Sequence, residues 1–431
     1  MKKVLIITYY WPPSGGPGVQ RWLKFVKYFH QHGIEPIVVT VDEKKASYPV
    51  LDPALENEIP VGTRVFKTNS FEPLRIFSSF FKKEKVPYAG IPDRNKMSLA
   101  GKLSLYIRAN YFIPDARKGW NKYAYKQCCS IIENEKIDCI VTTSPPHSTQ
   151  LIGLKLQKKY GVKWIADLRD PWTDMYYYSK LHHNKRAKEK DSNLEKLVLS
   201  MADLITVTSN ETKNLFAKKI SGSEKIHIVT NGYDEADITT SSTNDKNNAF
   251  TIGFSGTISK EFGIETFLTC IKKHIDTQKN IHIQFVGNVE PALKNEIETI
   301  LGSHASFTGY VSHKQAIHYS AKANVLLLVV PPGQDGKNSS TVPGKTFEYL
   351  STQNPVICLA PPHSSAVEII EQCDAGRGFT HDDEIGIGTY LNSLYENWAS
   401  GKNIKINNTN FKQYERKTLA QQMAGIIKRL T

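Results

Sequence analysis

Short apolar runs alternate along this chain with stretches in which apolar residues return every three or four positions. Val4–Tyr9 is an apolar run rich in branched residues, the mark of a strand buried on both faces of a parallel sheet. A Gly/Pro loop follows (WPPSGGPGVQ). Trp22, Phe25, Val26 and Phe29 then share one helical face before Gly33 ends the helix. Pro36–Val41 is the next strand, so the N-terminus predicts a βαβ unit with a right-handed crossover. The cycle returns with the strand CIVTT (Cys139–Thr143), the loop SPPHS, a helix over TQLIGLKLQKKYG and the strand KWIADL. Strands at Leu204–Ser209 and Ile226–Gly232 close this set.

Ser241–Ala249 (SSTNDKNNA) has no apolar residue before its last and reads as a linker. Beyond it FTIGFSG, IHIQFVG, SFTGYV, ANVLLLVVPP and PVICLAPP predict strands. GIETFLTCIKKH, HKQAIHYSAKA, GKTFEYLSTQN and SSAVEIIEQCDAG predict helices between them. Alternation on both sides of a linker predicts an α/β protein of two doubly wound, Rossmann-like domains. Such sheets bind ligands beyond the carboxyl ends of their strands, so the two are expected to face across a cleft. The expected boundaries are residues 1–235, a linker 236–250, a second domain 251–405 and a final helix within 406–431. That helix, with apolar Phe411, Tyr414, Leu419, Met423, Ile426 and Ile427, either crosses back to the first domain or closes the second.

Charge adds a second asymmetry. The 431 residues carry 55 Lys+Arg and 42 Asp+Glu. The whole net charge of +13 falls in residues 1–235, which hold 37 basic and 24 acidic residues, against 18 of each in 236–431. Residues 75–126 alone hold 12 basic and three acidic residues, interleaved with apolar ones as in LRIFSSFFKKEK and KLSLYIRANYF. Such a cluster fits an anionic membrane surface, a solvated basic face being the plain alternative. No nucleic-acid reading motif accompanies it, so nucleic acid is not an expected partner. The six cysteines have no C-x-x-C spacing and are too sparse for a disulfide scaffold, which predicts reduced thiols. MKKVLIITYYWPP imitates a signal peptide, but its apolar run is short and lacks a small-residue cleavage site, so it reads as a strand. No apolar stretch reaches the roughly 20 residues that span a bilayer. The expectation is a cytoplasmic protein, peripheral to the inner face of the cell membrane.

The strand opening into Gly-Gly-Pro-Gly, the SGT after the linker and GKTFEYLSTQNPVI near residue 350 together resemble the family 4 glycosyltransferases of bacterial surface-polysaccharide type. The resemblance implies the GT-B architecture and retaining, metal-independent transfer of a hexose-type sugar. The donor would be a UDP- or GDP-linked nucleotide sugar, a substrate rather than a cofactor, and the acceptor a lipid-linked or other saccharide. It makes Glu348 the acceptor of hydrogen bonds from the donor ribose, a task suited to two carboxylate oxygens. The family's second glutamate, eight positions earlier, is Ser340 here. Lys345 stands where some branches carry a lysine. At a helix N-terminus its amine would stabilise a diphosphate leaving group. The loop Gly333–Gly344 before it fits a phosphate or hexose cradle. Gly256 and Thr257 are close-approach backbone positions. The Arg and Lys of many relatives are replaced by Thr257 and Phe262, leaving Lys260 as the nearest cation. The base is expected near Ile283–Gly287 and Tyr310.

On the acceptor side the resemblance points to the loop of Gly15, Gly16 and Gly18, where backbone can approach a phosphate or sugar. GGPGVQRW is not in register with G-x-G-x-x-G, so a nicotinamide cofactor is not expected. Arg21 behind this loop is either a cationic contact or half of an ion pair. Ala166–Tyr178 (ADLRDPWTDMYYY) concentrates Asp167, Arg169, Asp170, Trp172 and Asp174. Arg169 and Asp170 fill the place of the family's acceptor-side polar residue, with Asp170 able to orient or deprotonate an acceptor hydroxyl. Trp172 and the tyrosines offer flat faces to sugar rings, unless an Asp167–Arg169 or Arg169–Asp170 pair simply holds a loop. His147 sits at another strand-to-helix corner, and Asn231-Gly232 at a hinge or plain turn. Two other classes stay open at this point: a nucleotide-sugar epimerase of the same architecture, and a basic nucleic-acid-binding protein.

Overall fold

The computed structural model describes residues 1–72, 99–175, 178, 181–237, 249–332 and 342–431. The chain divides into two compact units, Met1–Thr230 with Arg416–Thr431, and Asn231–Glu415. The first division thus falls at Thr230 rather than 235, and of the segment 406–431 only its helix joins the first unit. Of the expected linker 236–250, residues 238–248 lie outside the described residues, and Phe250 already belongs to the first strand of the second unit.

The first unit is built on seven strands: β1 (Lys2–Ile7), β2 (Ile34–Val41), β3 (Arg64–Thr68), β4 (Cys139–Ser144), β5 (Lys163–Leu168), β6 (Leu204–Val207) and β7 (Ile226–Ile228). Their order is β3-β2-β1-β4-β5-β6-β7, every pairing parallel. Val4, Leu5, Ile6 and Ile7 are fully buried because helices cover both faces, which is why the strand reads as a continuous apolar run. Strand order reverses between β1 and β4, the point where doubly wound sheets open a crevice for ligands.

The helix Pro17–Phe29 starts with proline in its first turn, behind Gly16 at φ +86°, a conformation glycine adopts without strain. Trp22, Phe25, Val26 and Phe29 form its buried face as the spacing predicts. They meet the final helix, Arg416–Leu430, whose Leu419, Met423, Ile426 and Ile427 complete the same core. The C-terminal helix therefore belongs to the unit in which the chain begins.

The second unit carries β8 (Phe250–Ser255), β9 (Ile281–Val286), β10 (Ala305–Gly309), β11 (Val325–Val329), β12 (Val356–Leu359) and β13 (Gly376–Phe379). All are parallel, in the order β10-β9-β8-β11-β12-β13. The same reversal occurs between β8 and β11. All six cysteines are buried and unpaired. Among the described residues no helix is long and apolar enough to cross a membrane.

Candidate active site

In the second unit the site grows from the end of β8 and the helix Lys345–Thr352. Lys345 Nζ donates to the Ser255 carbonyl at 3.0 Å, and the Tyr349 hydroxyl accepts from the Ser255 N–H at 2.8 Å. Lys345 and Tyr349 are one turn apart, so a single helical face grips both polar groups of the last β8 residue. The Lys345 ammonium also lies 3.9 Å from the centroid of the Phe254 ring. Burial pushes its pKa down to about 7, against the opposing pull of Glu348.

Glu348 occupies the same first turn and is half-exposed. The His313 ring lies beside it, with Nδ1 3.9 Å from Oε1. Two first-turn amides are already used, Thr346 bonding Pro343 at 3.0 Å and Phe347 bonding Gly344 at 3.2 Å. The lysine is thus the main anion-attracting group of this helix start.

Gly256 follows β8 at φ +116°, and a Cβ placed there would stand 3.5 Å from Lys345 Nζ. Gly287, after β9, is at φ +123°, where a Cβ would come within 2.3 Å of the Gly256 carbonyl oxygen. Two strand ends can approach this closely only without side chains. Thr257 and Gly344 are exposed. Lys260, a candidate phosphate contact, is half-exposed and pairs with Glu296 at 2.7 Å. Nothing in its local sequence shows this, because the glutamate comes from a later helix, Pro291–Leu301. Tyr310 is exposed at the end of β10. Ser340 and most of the loop 333–344 lie outside the described residues.

In the first unit the candidates gather at the carboxyl ends of β1, β4 and β5. Asp167 is fully buried and accepts from Arg21 Nη2 (2.9 Å), Trp22 Nε1 (2.8 Å), Thr143 Oγ1 (2.7 Å) and Thr206 Oγ1 (2.8 Å). Burial alone would raise its pKa, but Arg21 and the other donors hold it below the ordinary carboxylate range. Arg21, fully buried, also bonds the Thr230 carbonyl at 2.8 Å. Asp167 and Arg21 therefore knit β4, β5, β6 and the first helix together under the site.

Arg169 spends three donors on main chain: Ser144 O at 2.8 Å, Gly18 O at 2.6 Å and Pro145 O at 3.0 Å. It clamps the glycine loop to the end of β4. Gly15 owes its lack of a side chain to Val50 and Asp52, whose atoms stand 3.2 Å from where a Cβ would lie. At Gly18 the same space borders Tyr10 and Arg169.

Asp170 is the free group of this edge. Half-buried, it makes no hydrogen bond or ion pair among the described residues. Desolvation raises its pKa, opposed by Arg169 and helped by Asp167. His147 lies flat on the Trp172 ring, centroids 4.9 Å apart at 13°. Burial and Arg169 lower its pKa to about 3, so the ring is neutral, and its Nδ1 has no partner among the described residues. Trp172, expected to face sugar, is only 2% exposed and backs the histidine instead. Tyr176 and Tyr177 lie outside the described residues.

Two residues that sequence reasoning missed hold this loop. Asp191 and Glu195, on the helix Lys185–Met201, are buried and point at Trp172 and Thr173. Their spacing of four, in line with buried Val198 and Leu199, is the signal that was there to read.

Two family models match the chain, Glycosyltransferase Family 4 over residues 92–237 and Glycosyl transferases group 1 over residues 249–397. No curated protein matches it in sequence. Solved structures match over nearly the whole chain. Anabaena Alr3699/HepE in complex with UDP and glucose aligns at 14% identity and TM-score 0.62, covering 99% of this chain and 100% of that one. The lipopolysaccharide outer core galactosyltransferase WaaB aligns at 12% and 0.59, covering 100% and 99%. A UDP-N-acetylglucosamine 2-epimerase assignment from Listeria monocytogenes aligns at 10% and 0.59, covering 99% and 96%. At these identities the likeness is one of fold.

Proposed function

We propose that this chain, which matches two glycosyltransferase family models, is a GT-B enzyme that transfers a hexose-type sugar from a UDP- or GDP-linked donor to a lipid-linked or saccharide acceptor. Transfer retains the anomeric configuration, needs no metal and serves cell-surface polysaccharide synthesis. The observation that carries the donor assignment is the helix Lys345–Thr352 gripping Ser255, with Glu348 left open beside the two glycine turns. Glu348 offers two oxygens to vicinal ribose hydroxyls, and Lys345 meets the diphosphate. In the first unit Asp170 orients the acceptor hydroxyl over the His147 ring.

The anomeric carbon–oxygen bond to the diphosphate breaks as the acceptor oxygen bonds the same face of that carbon. The acceptor proton passes to the departing diphosphate oxygen. Arg169 and Asp167 shape the acceptor edge and stay off the reacting atoms.

A membrane location fits the helix Leu99–Tyr111. Leu103, Tyr106, Ile107 and Tyr111 are exposed at helical spacing on one stripe, with Lys102 and Arg108 on the same helix. Of the basic cluster 75–126, residues 75–98 lie outside the described residues.

Thermal stabilisation by a panel of UDP- and GDP-sugars, followed by transfer assays, tests the reading. A donor at 100 times its Kd adds about 2.7 kcal/mol to the folded state. Glu348→Ala is expected to keep the fold and lose transfer by at least a hundredfold. Stabilisation by no nucleotide sugar, or full transfer by that variant, overturns the donor assignment. Interconversion of the donor without transfer would favour the epimerase class, whose fold the Listeria structure shares.

A further inference from the structure

The helix Lys185–Met201 contributes no group that touches donor or acceptor in the function proposed above, yet it turns two carboxylates inward. Asp191 is 1% exposed and Glu195 0%. Asp191 Oδ1 accepts from Trp172 Nε1 at 2.8 Å and its Oδ2 from the Tyr178 hydroxyl at 2.8 Å. Glu195 takes the Thr173 N–H at 3.2 Å and its hydroxyl at 2.6 Å. Lys219 then joins Glu195 at 2.6 Å and Asp174 at 2.5 Å. Every one of these loop partners lies within the eight residues that follow Asp170.

A buried carboxylate is a costly way to fill space, and apolar side chains of the same volume hold a core at least as well. What a carboxylate adds is direction. Packing fixes where an indole lies, whereas a hydrogen bond at Nε1 fixes how it is turned about its own axis. That rotation matters because the other face of Trp172 carries the His147 ring at 4.9 Å and 13°.

We infer that Asp191 is a positioning residue for transfer: by fixing the indole of Trp172 it sets the plane of His147 and the turn that presents Asp170 to the acceptor. The consequence for transfer rests on the function proposed above, while the geometric claim stands independently of it.

The test uses the full chain with Asp191→Asn, Asp191→Leu and Trp172→Phe. Asparagine keeps an oxygen for Trp172 and lets the Tyr178 hydroxyl turn to accept from its amide. Leucine keeps the branch at Cγ but removes both bonds, and phenylalanine removes the indole donor together with part of the ring. The first readout is the His147 ring-proton shift in histidine-labelled protein, assigned with His147→Gln. Shielding by the stacked indole is expected to persist in Asp191→Asn and to be lost in Asp191→Leu.

The second readout is the split between substrates. In Asp191→Leu and Trp172→Phe, kcat/KM for the acceptor is expected to fall at least tenfold, with Asp191→Asn close to wild type and UDP or GDP affinity unchanged. An unshifted His147 in Asp191→Leu, or an equal loss of nucleotide affinity, overturns the inference. Should Asp191→Leu not fold, Trp172→Phe with wild-type acceptor kinetics overturns it. A wild-type chain that transfers from no donor would sink the proposed function while the His147 shift still decides the positioning.

Discussion

Lys345 Nζ donates a 3.0 Å hydrogen bond to the carbonyl oxygen of Ser255, the residue that ends β8. This contact holds an ammonium against main chain and an aromatic face, where burial lowers its pKa to about 7. Near neutral pH the free protein is therefore a mixture of charged and neutral Lys345. A diphosphate prefers the charged form, so its binding takes up a proton once the pH exceeds that value. Affinity for UDP or GDP should be greatest below pH 7 and fall towards tenfold per unit above it. Calorimetry across pH 6–9, in buffers of different ionisation enthalpy, checks this. Lys345→Met should bind more weakly and lose the pH dependence attributable to Lys345, and an identical profile in that variant counts against the assignment.

Gly287 and Gly344 make a paired prediction. A Cβ at Gly287 would meet the Gly256 carbonyl at 2.3 Å and sit at φ +123°, whereas among the described residues nothing lies within 4 Å of one at Gly344. Gly287→Ala should cost at least about 2 kcal/mol, combining strain and displaced backbone, and weaken nucleotide binding. Gly344→Ala should leave the melting temperature within about two degrees of wild type. Equal stability of the two variants would show that the turns at β8 and β9 do not need to touch.

Asp191 predicts a pH dependence of stability. Burial raises its carboxyl pKa to about 6, with the Tyr178 and Trp172 bonds opposing. In the unfolded chain an aspartate titrates near 3.9. Between these values the folded state binds more protons, so stability falls as pH rises from about 4 to 6, by roughly 2 kcal/mol from this group. Asp191→Asn cannot titrate and should lack that part of the fall. Urea unfolding of both proteins at pH 4.5 and 7 gives the comparison, and parallel slopes would contradict it.

The exposed stripe Leu103, Tyr106, Ile107 and Tyr111 should bind vesicles of anionic lipid more strongly than neutral ones. Flotation with 30% anionic lipid is the assay. Leu103→Asp combined with Tyr111→Asp should remove most binding, and raised salt should weaken it. Retention of binding by that double variant would move the contact elsewhere on the first unit.

Much of the fold was legible because buried parallel strands and one-faced helices each leave a simple apolar signature. Val4–Ile7 and the Trp22, Phe25, Val26, Phe29 face were read directly. Glu348 and Lys345 were legible as a helix start ahead of Pro355 and β12. The polar residues of ADLRDPWTD were less readable, since local sequence does not say which partner each one meets. Asp167 meets Arg21 across 146 positions and Arg169 meets the Gly18 carbonyl across 151. Two charges two residues apart thus do different structural work, and only Asp170 between sheet and loop is left open. Lys260 shows the same limit, its partner Glu296 lying on another helix. The return of the last helix was one of two equal readings, because an amphipathic face shows that a partner exists but not which one.

That return orders the birth of the molecule. The second unit begins and ends side by side, the Tyr233 N–H bonding the Tyr414 carbonyl at 3.2 Å, so it is an insertion within the first. During synthesis it can fold as soon as Glu415 has emerged. The first unit waits for Arg416–Leu430, because Met423, Ile426 and Ile427 fill the core over Trp22 and Phe25. At about 5–20 residues per second, tens of seconds separate its last strand from its last helix. The unit begun first is therefore completed only after the inserted unit has been made.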